Sequence, residues 1–171
     1  MKWETSSGTS ARSTSMNGTS HLLMDNKWKG RYLKLAREIA GWSKDPSTKI
    51  GCVIIGPKGQ VLAQGYNGFP RGIQDTPDRY ADRPTKYKYV VHAEMNAIYN
   101  ASYSGVSLDG SILFVHGLPV CSECAKGIIQ VGIKNIVMPY QEIPATWQDS
   151  WNLTQQMFAE AGITWEFVKF E

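Results

Sequence analysis

Four residues in two short stretches have the types and spacing that zinc chemistry requires. The stretch VVHAEMNAI, Val90–Ile98, places His92 two residues before Glu94 in an otherwise apolar segment, and CSEC pairs Cys121 with Cys124. A buried His or Glu costs free energy unless something pairs with it. One imidazole and two thiolates would form a three-ligand Zn²⁺ site with an open fourth position, which is the catalytic type of zinc site.

Glu94 is the candidate for moving protons at such a site. Water bound to zinc is acidic enough to supply hydroxide near neutral pH, and a nearby carboxylate can carry its proton to a ring nitrogen and then to a leaving amine. His-x-Glu together with a later Cys-x-x-Cys matches the signature of the zinc-dependent nucleobase deaminases. Each motif alone is less specific, because Cys-x-x-Cys also occurs in redox sites and His116 could close a structural four-ligand site.

The elements predicted around these residues bring the two motifs together. A hairpin followed by alternating helices and strands indicates a three-layer α/β/α domain with a mixed five-stranded sheet. Both motifs open a helix that precedes a strand, and helix N-termini gather at one edge of such a sheet. Helices are predicted from Asp25 to a stop at Asp45-Pro46, and over 90–104, 121–131 and 147–161; strands are predicted over 50–55, 60–66, 111–115, 134–138 and 163–170.

Two segments carry further expectations. The first helix is predicted to bury one apolar stripe, since large apolar residues recur at spacings of three and four. The members of this stripe are Trp28, Tyr32, Leu35, Ile39 and Trp42. After the hairpin, a polar stretch runs to about Lys88, and its length for a structureless connection indicates a functional segment.

Composition narrows the class of protein. The 171 residues, 42% of them hydrophobic, suit one domain, with 25–171 as the folded part and the Ser-, Thr- and Gly-rich residues 1–24 as a flexible N-terminal extension. A net charge of +3 does not indicate a nucleic-acid partner, and the chain has no apolar run long enough for a membrane span. Three cysteines, an odd number, argue against a secreted disulfide framework and favour the cytoplasm, with Cys52 as a core residue.

HAEMNAI, VCSECAKGIIQVGIKNIV and GYNGFPRG together resemble the dCMP (deoxycytidylate) deaminase family, within the zinc-dependent cytidine deaminase superfamily, over about residues 25–138. GYNGFPRG and DPSTKIG are the more family-specific pieces. The resemblance implies that His92, Cys121 and Cys124 hold Zn²⁺, that Glu94 shuttles protons, and that Asn67, Thr48, Lys49 and Arg71 contact the nucleotide. The family carries Pro directly before the first Cys, whereas this chain has Val120 there, preceded by Pro119.

The activity implied by this resemblance is hydrolytic deamination of dCMP to dUMP and ammonia, which supplies dUMP for thymidylate synthesis. It also implies a homo-oligomer, commonly a hexamer, activated by dCTP and inhibited by dTTP. Two alternatives stay open from the residues. One is another zinc-dependent nucleoside, nucleotide or tRNA deaminase, and the other is a non-catalytic nucleotide-binding protein with a structural zinc.

Overall fold

The computed structural model describes residues 24–171. In these residues, five strands form one sheet and six α-helices pack around it. The helices are α1 Asn26–Ala40, α2 Pro77–Ala81, α3 Arg83–Tyr89, α4 Ala93–Tyr103, α5 Ser122–Gln130 and α6 Gln148–Ala161. The strands are β1 Gly51–Ile55, β2 Val61–Tyr66, β3 Ile112–His116, β4 Asn135–Pro139 and β5 Thr164–Val168. Of the predicted N-terminal extension, residues 1–23 lie outside the described residues.

The sheet is mixed and has the order β2-β1-β3-β4-β5. Strand β1 is antiparallel to both of its neighbours, whereas β3, β4 and β5 are mutually parallel. Strand β2 therefore runs in the same direction as β3, with β1 between them. The prediction of a five-stranded mixed sheet is confirmed. None of the helices in residues 24–171 has the length and apolar character needed to cross a membrane.

Helices cover both faces of the sheet, as predicted for a three-layer domain. On one face, α1 packs Leu33 and Ile39 against alternate sheet residues such as Val53 and Phe114. On the other face, α4, α5 and α6 bury a larger cluster around Ile128 and Phe158. All five residues of β1 are buried, which is expected for a strand covered on both sides.

The predicted apolar stripe of α1 is wrong at three of its five positions. Trp28 and Leu35 are 47% and 38% exposed, and Trp42 is 51% exposed and lies beyond the end of α1 at Ala40, short of the predicted stop at Asp45-Pro46. The buried residues of this helix are Tyr32, Leu33, Ala36, Ile39 and Ala40. A β-carbon at Gly51 of β1 would overlap the backbone of α1, so the helix lies too close to the sheet for large side chains at the contact. Small alanines occupy those positions instead.

Helix α4 also lies very close to the sheet, at Gly65 of β2. A β-carbon at Gly65 would overlap the backbone around Ala97. The side-chain amides of Asn96 and Asn100 donate hydrogen bonds to two carbonyls of β2, at 2.8 and 2.7 Å. Since β2 is the edge strand, these carbonyls lack a strand partner on that side. These contacts fix α4 relative to β2.

Replacing Gly65 by Ala tests this close contact. We expect Gly65→Ala to lower the free energy of unfolding by about 1–3 kcal/mol, because α4 or β2 must shift to admit the methyl group. Urea unfolding followed by circular dichroism measures the change. Gly30→Ala in α1 is the matched control: the nearest atom to its added β-carbon is 3.9 Å away, so no loss is expected. Equal stabilities of the two variants would contradict the described packing.

Candidate active site

The N-termini of α4 and α5 meet at one edge of the sheet. Helix α5 follows β3, and the chain enters α4 beside the end of β2, where Val91 and Gly68 exchange two backbone hydrogen bonds; β2 and β3 run in the same direction. Both helices therefore begin at the carboxyl ends of their strands, although β1 separates the two strands. His92 is the N-cap residue of α4 and Cys121 is the N-cap residue of α5. The predicted convergence of the two motifs is confirmed.

The three predicted metal ligands have the spacing of a zinc site. Nδ1 of His92 is 3.4 Å from Sγ of Cys121 and 3.4 Å from Sγ of Cys124. Zinc bonds of about 2.3 Å to sulfur and about 2.0–2.1 Å to nitrogen place tetrahedral ligands roughly 3.5–3.6 Å apart. The donor set and its spacing therefore fit Zn²⁺. Within residues 24–171, no other group of three His, Cys, Asp or Glu side chains is placed to hold a metal.

The two thiols ionise unequally in the absence of a metal. A hydrogen bond from Cys124 lowers the pKa of Cys121 to about 4, against the opposing effect of burial. The same hydrogen bond, followed by burial, raises the pKa of the Cys124 thiol. The pKa of His92 is raised, chiefly by its hydrogen bond to Cys121. A thiolate at a helix N-terminus is the form of cysteine that binds metal.

Glu94 lies beside the ligands rather than among them. It is in the first turn of α4, only 3% exposed, and its Oε2 is 3.7 Å from Sγ of Cys124. Burial raises the pKa of Glu94 to about 7. A carboxyl group with a pKa near neutral can both accept and release a proton under physiological conditions, as general acid–base catalysis requires.

His116 does not close a four-ligand site. Side chains alternate along β3, so His116 lies on the α1 face with Phe114, whereas Val115 lies on the face of α4 and α5. Its ring meets Phe170 edge-on, with the ring centroids 6.1 Å apart. The sequence alternative in which His116 supplies a fourth ligand is therefore contradicted.

A pocket opens in front of these residues. Its floor includes His92, Glu94 and Cys121, and one wall is formed by Leu118 and Pro119 of the loop that precedes Cys121. The lining also includes residues of helix α3 and of the segment that leads into β1. The long polar stretch after the hairpin, predicted to be functional, is thus folded into two short helices, the second of which borders the site.

The four predicted substrate contacts separate into two groups. Thr48 and Asn67 line the pocket. Asn67 is buried, and its side chain donates to the carbonyl of Thr48 at 2.8 Å and accepts from the N–H of Ile50 at 2.9 Å, so it also holds the segment before β1. Lys49 and Arg71 are not brought to the pocket: Lys49 donates to a backbone carbonyl, and Arg71 donates to Asn100 on the outer side of α4.

The sequence predicted that the segment containing α3 is functional, but it singled out no residue of α3 as a substrate contact. Lys86 is buried against Asp45, with Nζ 2.6 Å from Oδ2, and donates to Oγ of Ser47 at 2.7 Å. Burial opposes ionisation of Asp45, but the hydrogen bond from Lys86 and those of the Ser47 turn keep its pKa lowered. Arg83 and Tyr87 lie three and one positions from Lys86 and line the same pocket. The i, i+3 and i+4 spacing of these residues after the capping Asp82 is the signal that could have identified them.

Comparison with known proteins is consistent with this geometry. Residues 26–139 match the family described as the cytidine and deoxycytidylate deaminase zinc-binding region. An uncharacterized deaminase of Aliivibrio fischeri is 37% identical over 146 residues, which cover 83% of this chain and 95% of that protein. The deoxycytidylate deaminase of Mus musculus is 37% identical over 153 residues, which cover 84% of this chain and 80% of that protein.

A solved structure matches as well. It is the dCMP deaminase of the cyanophage S-TIM5, determined in complex with dCMP and dUMP. The TM-score is 0.68 and the sequence identity is 29%, over 85% of this chain and 99% of that one. The likeness therefore extends over nearly the whole of the described residues.

Proposed function

The chain belongs to the family of zinc-dependent cytidine and deoxycytidylate deaminases, and from that premise we propose that it hydrolyses dCMP to dUMP and ammonia. The observation that carries the proposal is the buried Glu94 beside a His-Cys-Cys group at the floor of a pocket. The choice of dCMP is supported by relatives named as deoxycytidylate deaminases and by the similar structure determined with dCMP and dUMP.

Four residues of this chain have two separate roles in the proposed reaction, metal binding and proton transfer. His92, Cys121 and Cys124 would hold Zn²⁺, which when bound supplies a Lewis acid that makes a coordinated water acidic near neutral pH. Glu94 would accept a proton from the attacking water and deliver it to N3 of the cytosine ring. It would then take the proton of the hydroxyl formed at C4 and deliver it to the amine, which leaves as ammonia when the C4–N bond breaks. A carboxyl pKa of about 7 suits both directions of transfer.

Two alternatives are weaker. A structural zinc in a non-catalytic protein would require a fourth protein ligand, and His116 lies on the other face of the sheet. A tRNA or other polynucleotide deaminase would need an open groove with basic and aromatic side chains. Here the site is a pocket whose lining includes α3 and the Leu118-Pro119 loop, which favours a mononucleotide.

Helix α3 is the proposed source of phosphate recognition. Arg83 is exposed at the pocket, and its guanidinium donates to the hydroxyl of Tyr87 at 3.1 Å. A planar guanidinium suits bidentate contact with phosphate oxygens. Lys86 is already held by Asp45 and Ser47, so we assign the 5′-phosphate to Arg83 and the sugar to the side of the pocket formed by Thr48 and Asn67.

We also propose that the protein forms a homo-oligomer, that dCTP activates it and dTTP inhibits it, and that it is cytoplasmic. An exposed aromatic surface on α4 and its surroundings supports a homo-oligomer, with a hexamer as the expected form. Its members are Trp42, Tyr66, Tyr99 and Tyr103. The cysteines Cys52, Cys121 and Cys124 are free thiols, which supports a cytoplasmic location. Light scattering tests the assembly, and assays with dCTP and dTTP test the proposed activation and inhibition.

Glu94→Gln tests the proton carrier. We expect this variant to bind zinc as the wild type does and to release ammonia from dCMP about 10²–10⁴-fold more slowly, because the amide cannot carry the proton. Glu123→Gln on α5 is the matched control, since that side chain is 78% exposed and pairs with Lys126. Full turnover by Glu94→Gln would refute the proposed role.

Arg83→Ala tests the phosphate contact. We expect kcat/KM for dCMP to fall about tenfold or more, and kcat/KM for deoxycytidine to be unchanged, because only dCMP carries the charge that Arg83 binds. Steady-state ammonia release measures both values. Arg71→Ala serves as the comparison, since Arg71 lies outside the pocket. The opposite result, a selective loss for dCMP in Arg71→Ala alone, would restore the assignment based on sequence resemblance.

A further inference from the structure

Helix α6 contacts the two peptide groups on either side of Cys121. Oγ of Ser150 accepts a hydrogen bond from the N–H of Ser122 at 2.9 Å. Oγ1 of Thr154 donates to the carbonyl of Val120 at 3.1 Å. The first of these peptide groups follows Cys121 and the second precedes it. The backbone around one metal ligand is thus held by side chains of another helix.

The local backbone needs partners at both places. Cys121 is the N-cap of α5, so the N–H of Ser122 is among the first N–H groups that have no acceptor within the helix. Val120 and Thr154 are fully buried, so without Thr154 the carbonyl of Val120 would lose the hydrogen bond that compensates for its burial. The hydroxyls of Ser150 and Thr154 therefore supply the hydrogen-bond partners that this N–H and this carbonyl need. The same hydrogen bonds restrict rotation of the two peptide planes next to Cys121.

Helix α6, which carries Ser150 and Thr154, is itself packed against strand β5. Trp151, between Ser150 and Thr154, is buried and meets Trp165 and Phe167 of β5 edge-on, with ring centroids 6.2 and 5.7 Å apart. Cys124 differs from Cys121 because it lies within α5 and takes its orientation from that helix. Of the two sulfur ligands, Cys121 is the one whose orientation depends on contacts from outside its own helix.

We propose that Ser150 and Thr154 are positioning residues that orient Cys121 for metal binding, so that α6 sets the zinc affinity of the site. The inference rests on the metal site of the proposed function but not on the identity of the substrate. Groups that orient a metal ligand without touching the metal typically change its affinity by 10–100-fold when they are removed.

The zinc affinity of Ser150→Ala, Thr154→Val and the double variant tests the proposal. Competition with a chromophoric chelator measures the dissociation constant for zinc. We expect about tenfold weaker binding for each single variant and a larger loss for the double variant. Thr154→Ser keeps the hydroxyl and is expected to bind zinc as the wild type does. Zinc affinity is measured without nucleotide, so an error in the proposed substrate would leave this result unchanged.

Ser111→Ala is the matched control. Its hydroxyl is equally buried and donates to the carbonyl of Leu108, but it lies just before β3, at the opposite edge of the sheet from Cys121. We expect this variant to lose stability and keep its zinc affinity. Zinc dissociation constants within twofold of the wild type in all α6 variants would overturn the proposal. An equal loss of stability in the metal-free and zinc-loaded forms would also overturn it, because it would indicate a purely structural role.

Discussion

The burial of ionisable side chains next to one another is the constraint on which the rest of the structure depends. Glu94, Cys121 and Cys124 are buried, and His92 is in contact with both sulfurs. Each of these groups is costly to bury alone. A divalent cation would offset the cost for the thiolates. Burial raises the pKa of Glu94 to about 7, which favours the neutral form of this carboxyl group.

The fold meets this constraint through strand direction and close helix contacts. Strands β2 and β3 run the same way on either side of β1, so α4 and α5 begin at the same edge. Gly65 lets α4 approach β2 closely. Trp151 packs α6 against β5, and Ser150 and Thr154 of α6 form hydrogen bonds with the backbone on either side of Cys121. Elements far from the pocket in sequence thereby determine the positions of the three candidate metal ligands and of Glu94.

Much of this arrangement could be predicted from sequence, because it depends on regular patterns. The alternation of helices and strands predicted the sheet, and two motifs at helix starts predicted that His92, Cys121 and Cys124 meet beside Glu94. The predictions that were wrong or incomplete concern features that depend on three-dimensional packing. Periodicity favoured Trp28 and Trp42 over the alanines that the close approach of α1 requires. Likewise, the sequence assigned a substrate contact to the exposed Arg71 and none to α3, since only the folded chain brings Asp45 to Lys86 and Arg83 to the pocket.

The central claim is that three side chains of this chain hold one zinc and leave one position for the reaction. X-ray absorption at the zinc edge of the metal-loaded protein tests it most directly. We expect two sulfur donors at about 2.3 Å, one imidazole nitrogen and one further light donor at about 2.0–2.1 Å that is not an imidazole. Two sulfurs with two imidazoles and no oxygen would contradict the account, because they would describe a closed, structural site.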